Sequence, residues 1–192
     1  MPTGAIIALV IGGIILLLIM IIAGIYNSLV KANERVEEAW SDITVQLKRR
    51  SDLIPNLVET VKGYAKHETD AINQVSEARA KMMSARSVAS TAEADRGFMG
   101  ALSRLMAISE AYPELKANEN FKQLSAELSD TEDKIQAARR FYNAGVKEMN
   151  TKVTLFPTNL INKLVGHFKK REYYEVDEAE KAVIKDAPKV KF

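Results

Sequence analysis

The sequence predicts an all-α protein in which an N-terminal transmembrane helix continues into a long-armed antiparallel bundle of about four helices. Two patterns lead to this fold class. The first thirty residues contain no charged side chain and include an uninterrupted apolar run from Gly4 to Ile25. Beyond that run, apolar residues recur at alternating spacings of three and four, which is the period of a packed helix. No stretch of alternating apolar and polar residues is long enough to require a strand.

The apolar run is long enough to cross a bilayer. Its 22 residues extend about 33 Å as a helix and cover the roughly 30 Å hydrocarbon core. A secretory signal peptide would have a basic start and a shorter apolar core, so we interpret residues 1–28 as a retained transmembrane anchor. Lys31 and Arg35 follow the span closely, and nothing basic but the terminal amine precedes it. This bias favours a cytoplasmic soluble part.

Three small residues inside the span suggest self-association. Gly4, Ala8 and Gly12 are spaced by four and share one helix face. Such a face lets two membrane helices approach closely and pack. Glycine and alanine are also common in membrane helices for other reasons, so an accident of composition is the alternative. On the first interpretation the chain forms a homo-oligomer.

One stripe of residues runs from the anchor into the charged region. Its members alternate in spacing between four and three: Ile22, Tyr26, Leu29, Asn33, Val36, Trp40, Ile43, Leu47, Arg50, Ile54, Leu57, Val61 and Tyr64. Asn33 and Arg50 are its polar exceptions. Pro55 falls inside the same helix, where it cannot donate to the carbonyl of Ser51, and this predicts a kink.

Arg50 has two possible environments. Its guanidinium either reaches the rim of the stripe beside Lys48 and Arg49, or it joins a buried network with an acidic partner. For the network, we expect the partner on the last long helix.

The candidates there are Glu132 and Asp133, which lie near Arg139 in the sequence. A buried network of this kind would fix helix register more than it adds stability.

The remaining helices follow from periodicity and caps. We predict a helix over about 68–89, a turn over 90–95, and a helix over about 96–111 that Pro113 interrupts. Asn118 is the expected cap of the longest remaining helix, which should end before Pro157.

A short basic amphipathic helix is expected after the proline, with Thr158 as its cap. Its apolar face and the lysines after it are Leu160, Ile161, Leu164, Val165, Phe168, Lys169 and Lys170. This helix either docks on the bundle, which we favour, or lies on a lipid surface. We assign residues 29–171 to the bundle and residues 172–192 to an extended or disordered tail.

Composition and motifs give no sign of chemistry. The 27 basic and 25 acidic residues nearly balance, which does not favour a nucleic-acid partner. There is no cysteine and no phosphate-binding or nucleophile-elbow motif. His67 and Glu68 begin like a zinc-protease helix, but Ala71 stands where the second histidine is needed. We therefore expect neither an enzyme nor a cofactor.

Several motifs together resemble the LemA family. They are Trp40, QLKRRSDLIPNLVETVKGYA at 46–65, EAYPELKAN at 110–118, ARRFYN at 138–143 and FPTNLI at 156–161. The resemblance covers about residues 20–170 in the expected order. It implies a single-pass bacterial membrane protein with a helical-bundle domain and no established catalytic activity. A relative is linked to magnetosome membranes, and neighbouring genes for membrane metalloproteases hint at partners.

Two functional hypotheses follow. The first is a membrane-anchored, non-enzymatic scaffold that self-assembles and organises membrane or protein partners at the bilayer surface. The alternative is a monomeric regulatory adaptor for a membrane partner such as a protease. Both expect the lipid bilayer as a partner and allow a second membrane protein.

Overall fold

The computed structural model describes residues 3–174, and within them it contains helices and no strands. The predicted all-α fold is confirmed. The elements in chain order are α1 (Thr3–Tyr64), α2 (Thr69–Ser84), α3 (Val88–Ala111), α4 (Pro113–Ala117), α5 (Glu119–Lys152), α6 (Thr158–Ile161) and a π-helical turn (Asn162–Gly166). Residues 175–192, most of the predicted tail, lie outside the described residues.

The chain divides into two compact units. Among the described residues, the first contains residues 3–40 together with Phe141–Arg171, and the second contains Ser41–Arg140 together with residues 172–174. Helices α1 and α5 each contribute residues to both units. The predicted division into anchor, bundle and tail follows the membrane boundary rather than packing, and it stays a prediction.

The first unit contains the apolar part of α1 and a small core. An 18-residue window of α1 has a mean hydropathy of 3.3, and none of that window is buried by the rest of the chain. By length and composition α1 can cross a membrane. Burial of the stripe begins at Leu29 and includes Val36. The ring of Trp40 lies 5.5 Å from that of Tyr142 on α5, so both aromatic side chains belong to a helix-helix contact.

In the second unit the same stripe supplies a core of larger side chains. Its α1 members there are fully or nearly fully buried: Ile43, Leu47, Arg50, Ile54, Leu57 and Val61. Phe98 and Leu105 of α3 and Ile135 of α5 are buried as well. The predicted stripe is thus largely buried from Leu29 to Val61, whereas Ile22, Tyr26 and Tyr64 at its ends are exposed.

Pro55 lies inside α1, and the carbonyl that it leaves without a helical partner has another donor. In a regular helix the N–H of residue 55 would donate to Ser51, but proline has no N–H. Arg79 on α2 donates instead, with 2.7 Å between its Nε and the Ser51 carbonyl oxygen. Ser51 is 1% exposed, so this carbonyl would otherwise be buried without a hydrogen bond.

The turn predicted over 90–95 is wrong, because α3 already begins at Val88. Ser87 caps α3 reciprocally with Ser90: the Ser87 hydroxyl accepts from the Ser90 backbone N–H at 3.1 Å, and the Ser90 hydroxyl accepts from the Ser87 N–H at 3.0 Å. This satisfies two free amides of the first turn. The break between α2 and α3 therefore lies at residues 85–87.

Of the two predicted helix caps later in the chain, one is confirmed and one is wrong. Asn118 caps α5 as expected, since its Oδ1 accepts from the Phe121 backbone N–H at 3.0 Å. Pro113 interrupts the preceding helix and occupies the first position of the short helix α4. The predicted cap at Thr158 is wrong: Thr158 is the first helical residue of α6, Pro157 occupies the cap position, and no side chain caps the helix.

Candidate functional site

A buried ion-pair cluster occupies the interior of the second unit. Its first member, Arg50 on α1, is 1% exposed. Arg50 donates from Nη1 to Oε2 of Glu132 on α5 at 2.6 Å and from Nη2 to Oδ1 of Asp95 on α3. The Phe98 ring lies against the same guanidinium, with 4.8 Å from its centroid to Arg50 Cζ. Charge-assisted bonds and a cation–π contact thus replace the water that Arg50 loses.

Asp95 is the acceptor on which the cluster converges. Besides its bond from Arg50, its Oδ2 accepts from Arg139 Nη2 on α5 and from the Tyr174 hydroxyl at 2.6 Å. The Arg139 guanidinium also lies 5.0 Å from the centroid of the Tyr174 ring. Two guanidinium groups therefore face two carboxylates, and the cluster is formally neutral.

Burial shifts the pKa values of three groups in this cluster. It lowers the pKa of Arg50 and of Arg139 below the ordinary arginine value, and the Glu132 carboxylate opposes the shift at Arg50. Burial also raises the pKa of the Tyr174 phenol, against the effect of Arg139. The carboxylates paired with the two guanidiniums favour the charged form of each arginine against this effect of burial.

The cluster links helices α1, α3 and α5 of the second unit. Its charged groups are paired with one another, and each pair joins different elements of the second unit. Removing one partner of such a buried pair leaves an uncompensated charge, at a cost of about 3–5 kcal/mol. A shifted register of α1 or α5 would incur the same cost.

The sequence-predicted network residues are partly brought together here. Arg50, Glu132 and Arg139 belong to the cluster. Asp133 does not, because it lies on the exposed side of α5.

Two members of the cluster were missed by the sequence reasoning. Asp95 was assigned to a turn, although extending the Phe98, Leu102 and Leu105 stripe backward by three places it on the buried face of α3. Tyr174 was assigned to an aperiodic tail, and it is 3% exposed. No local signal marks Tyr174, because its partner Asp95 is 79 residues away in the chain.

Asn33, the second polar residue of the stripe, lies in a polar cluster of the first unit. Its Oδ1 accepts from Arg171 Nη2 at 2.7 Å, and the same nitrogen donates to Glu37 Oε1 at 2.5 Å. Asn150 on α5 holds the Arg171 backbone on both sides, accepting from its N–H at 2.8 Å and donating to its carbonyl at 2.9 Å. This cluster is half-exposed.

The small-residue face of the span is open. Gly4, Ala8 and Gly12 are all exposed, and a Cβ placed on Gly4 or Gly12 would meet nothing within 4 Å. The face is therefore available for a contact outside this chain.

The expected amphipathic helix over 158–168 is only partly an α-helix. It is α-helical over Thr158–Ile161, continues as the π-helical turn, and ends at His167 in the left-handed region (φ 55°). This corrects the single compact apolar face that the sequence predicted. Ile161 is 8% exposed and Phe168 is half-buried.

The other members of that face are largely exposed. Leu160 is 50% exposed, Leu164 78% and Val165 54%. Lys169 and Lys170 are exposed as well, in the non-helical segment that follows. The preferred docking of this helix on the bundle therefore accounts for few of its apolar side chains.

An open groove of about 940 Å³ lies between α2 and α3 in the second unit. Its lining includes small residues, among them Ala78, Gly97 and Ala101, and charged residues of both signs. Among residues 3–174, no three His, Asp or Glu side chains form a group that could hold a metal ion.

The sequence matches the LemA family over residues 39–192. Similar proteins are Magnetosome protein MamQ 2 of Paramagnetospirillum magneticum, 28% identical over 176 residues, and Magnetosome protein MamQ of Magnetospirillum gryphiswaldense, 29% identical over 175 residues. In both cases 78% of this chain and 64% of the relative are covered, so the chain spans less than two thirds of their length.

Protein LemA of Metamycoplasma hominis is 29% identical over 140 residues, with 70% of this chain and 62% of the relative covered. The family match includes every residue of the buried ion-pair cluster. With its N-terminal apolar helix and its helical fold, this chain is a membrane-associated member of the LemA family.

Proposed function

We propose that this chain is a single-pass, non-enzymatic scaffold of the bacterial inner membrane, which self-associates and organises membrane or protein partners at the bilayer surface. The observation that carries the proposal is the open face of Gly4, Ala8 and Gly12 on the membrane-spanning part of α1. In a bilayer, small residues at this spacing allow close helix packing, which supplies van der Waals contact that lipid cannot match.

Two further observations support a structural role. Helix α1 is continuous from Thr3 to Tyr64, so one helix carries both the span and the buried stripe. The charged groups buried in the second unit are paired with one another, and an ion-pair cluster of this kind specifies packing. Two of the relatives are magnetosome proteins by name, and we extend to this chain a part in assembling a membrane-associated structure.

Self-association is tested with matched glycine variants of the full-length protein in mild detergent. Gly12→Leu fills the small-residue face, whereas Gly13→Leu adds the same bulk about 100° around the helix, where a Cβ also meets nothing within 4 Å. We expect Gly12→Leu to lower the dimer fraction at a fixed protein-to-detergent ratio and Gly13→Leu to leave it unchanged. A wild-type protein that stays monomeric at all concentrations would contradict the scaffold proposal.

The groove between α2 and α3 favours a second candidate function, a monomeric regulatory adaptor for a membrane partner such as a protease. Its volume of about 940 Å³ offers room for a partner segment. Crosslinking in cells separates the two functions. A scaffold gives products of the chain with itself, and an adaptor gives one heterologous product.

Lys31 and Arg35, which directly follow the span, support a cytoplasmic soluble part. Protease treatment of intact spheroplasts tests this orientation. We expect the soluble part to be protected until the membrane is opened. Cleavage in intact spheroplasts would place it on the outer side.

A further inference from the structure

We propose that residues 155–170 form a lipid-contacting element beside the anchor, whose apolar side chains insert at the edge of the acyl region and whose lysines contact anionic headgroups. The proposal rests on the proposed membrane span of α1. Its ligand is the bilayer surface itself, in particular an anionic phospholipid.

Exposure points to this segment. Ten large apolar side chains beyond residue 26 are exposed in the described residues, and half of them fall within eleven positions. Those five are Leu155 at 58%, Phe156 at 76%, Leu160 at 50%, Leu164 at 78% and Val165 at 54%. Five exposed apolar side chains this close together favour transfer into an apolar phase, because the driving force grows with the apolar area removed from water. Such clusters mark protein or membrane contacts rather than ordinary surface.

The position of the segment along the anchor indicates that lipid covers its exposed apolar side chains. Val165 lines an apolar pocket together with Ile19, Ile22 and Ala23 of α1. Ile22 lies three residues before the end of the apolar run, so Val165 is about 4–5 Å inside that end at helical rise. An interfacial helix typically lies about 5–10 Å into the boundary between headgroups and acyl chains. A side chain packed on the anchor at this height faces lipid on its open side.

Internal bonds hold the segment in this position. The Asn162 side chain accepts from the Phe168 N–H and donates to the Phe168 carbonyl, both at 2.9 Å. Gly166 is required beneath it, because a Cβ there would lie 2.7 Å from Asn162 Oδ1. The Phe168 ring in turn lies 6.2 Å from that of Tyr26 on α1. The turn is therefore fixed to the anchor at two points, Phe168 and Val165.

The charge of the segment indicates which class of lipid it contacts. Residues 149–171 contain four lysines and one arginine and no acidic residue. Lys163, Lys169 and Lys170 are exposed, whereas Arg171 is paired with Glu37. Lysines near an anionic leaflet are attracted by its negative surface potential. An apolar cluster with basic residues at its edge is complementary to anionic phospholipid.

The test uses depth-dependent fluorescence in the full-length protein, and the absence of native cysteine makes each introduced thiol unique. Leu164→Cys reports on the segment, Phe141→Cys on an equally exposed position of α5, and Leu17→Cys on the span. Each variant is labelled with an environment-sensitive fluorophore. The proteins are reconstituted into vesicles of phosphatidylcholine with or without phosphatidylglycerol.

We expect lipid-borne nitroxide to quench the label at position 164 several-fold more than the label at 141, with iodide showing the reverse order. Iodide access at 164 equal to that at 141 would overturn the proposal while quenching at position 17 upholds the anchor. A failure of quenching at 17 would instead overturn the proposed membrane span. Protection of position 164 from both quenchers would mean that protein covers it, and this also overturns the proposal.

The electrostatic part is tested by Lys163→Gln, Lys169→Gln and Lys170→Gln in combination. These exposed substitutions should not disturb folding. We expect the phosphatidylglycerol-dependent part of the quenching at position 164 to disappear and the part in pure phosphatidylcholine to remain. An unchanged dependence on phosphatidylglycerol would overturn the assignment of an anionic lipid.

Discussion

Arg50 and Asn33 are the two polar residues on the stripe of α1, but their surroundings differ in kind. Arg50 is 1% exposed and meets carboxylates from two other helices. Asn33 is half-buried and meets one arginine, Arg171, whose side chain is 37% exposed. A buried charge needs a complete set of counter-charges because burial removes its hydration. A neutral amide at the edge of a core needs only one hydrogen bond, and water can replace it.

The largest effect expected from this comparison is at Asp95. Asp95→Asn keeps the shape of the side chain but removes the charge that faces both Arg50 and Arg139. We expect a loss of about 3–5 kcal/mol in the free energy of unfolding, because two guanidiniums are left with one carboxylate. Urea unfolding of the full-length protein in mild detergent, followed by circular dichroism, measures it.

The matched control is Asp133→Asn, which removes an exposed carboxylate from the same unit. Its expected effect lies within about 0.5 kcal/mol of zero. If Asp95→Asn behaved like this control, the cluster would not hold the register of the second unit.

A smaller effect is expected at Arg79, which pairs with a buried polar group that carries no charge. Arg79→Met leaves the Ser51 carbonyl without its donor, at a cost of about 1–3 kcal/mol. Pro55→Ala restores a backbone N–H that can donate to Ser51. In a double-mutant cycle the cost of Arg79→Met should therefore fall in the Pro55→Ala background. Equal costs in both backgrounds would show that Arg79 acts through something other than this carbonyl.

The half-exposed cluster should be less sensitive. Arg171→Met removes the bonds to Asn33 and Glu37, and the bonds from Asn150 to the backbone of residue 171 remain. Pairs with this exposure contribute about 0–1 kcal/mol, so we expect a loss of about 1 kcal/mol or less. The same urea unfolding measures it, with Asn33→Ala as the companion variant. A loss as large as that of Asp95→Asn would erase the distinction between the two clusters.

How far the sequence predicts these clusters depends on where each partner lies. Arg50 is recognisable in the sequence because its charge interrupts the apolar period of the stripe. Glu132 is then a candidate partner because it is an acidic residue of the last long helix. Asp95 obeys the same rule on α3. The predicted helix begins only at residue 96, whereas the Ser87 cap starts α3 at Val88 and brings Asp95 into the helix.

The remaining contacts depend on tertiary structure. Tyr174 lies in a segment without a period, and its burial follows from packing against residues distant in the sequence. The Arg79 contact arises because Pro55 leaves the Ser51 carbonyl without a helical donor. Arg79 of the neighbouring helix α2 donates to this carbonyl instead. Helix propensity and periodicity describe which face of a helix is buried. They do not specify which neighbour it meets.

The smallest expected effect concerns pH and Tyr174. Burial raises the pKa of this phenol above its ordinary value of about 10. In the alkaline range the unfolded chain therefore loses this proton before the folded chain does, and the free energy of unfolding falls as pH rises through the folded pKa. This contribution of Tyr174 to the free energy of unfolding is fully present below about pH 10.

Tyr174→Phe should make the free energy of unfolding less dependent on pH above about pH 10. Tyr173→Phe, at a position 42% exposed, should keep the wild-type slope. Identical slopes for all three proteins would mean that the Tyr174 hydroxyl does not donate to Asp95 within a dry cluster. The cluster would then resemble the wetter surroundings of Asn33.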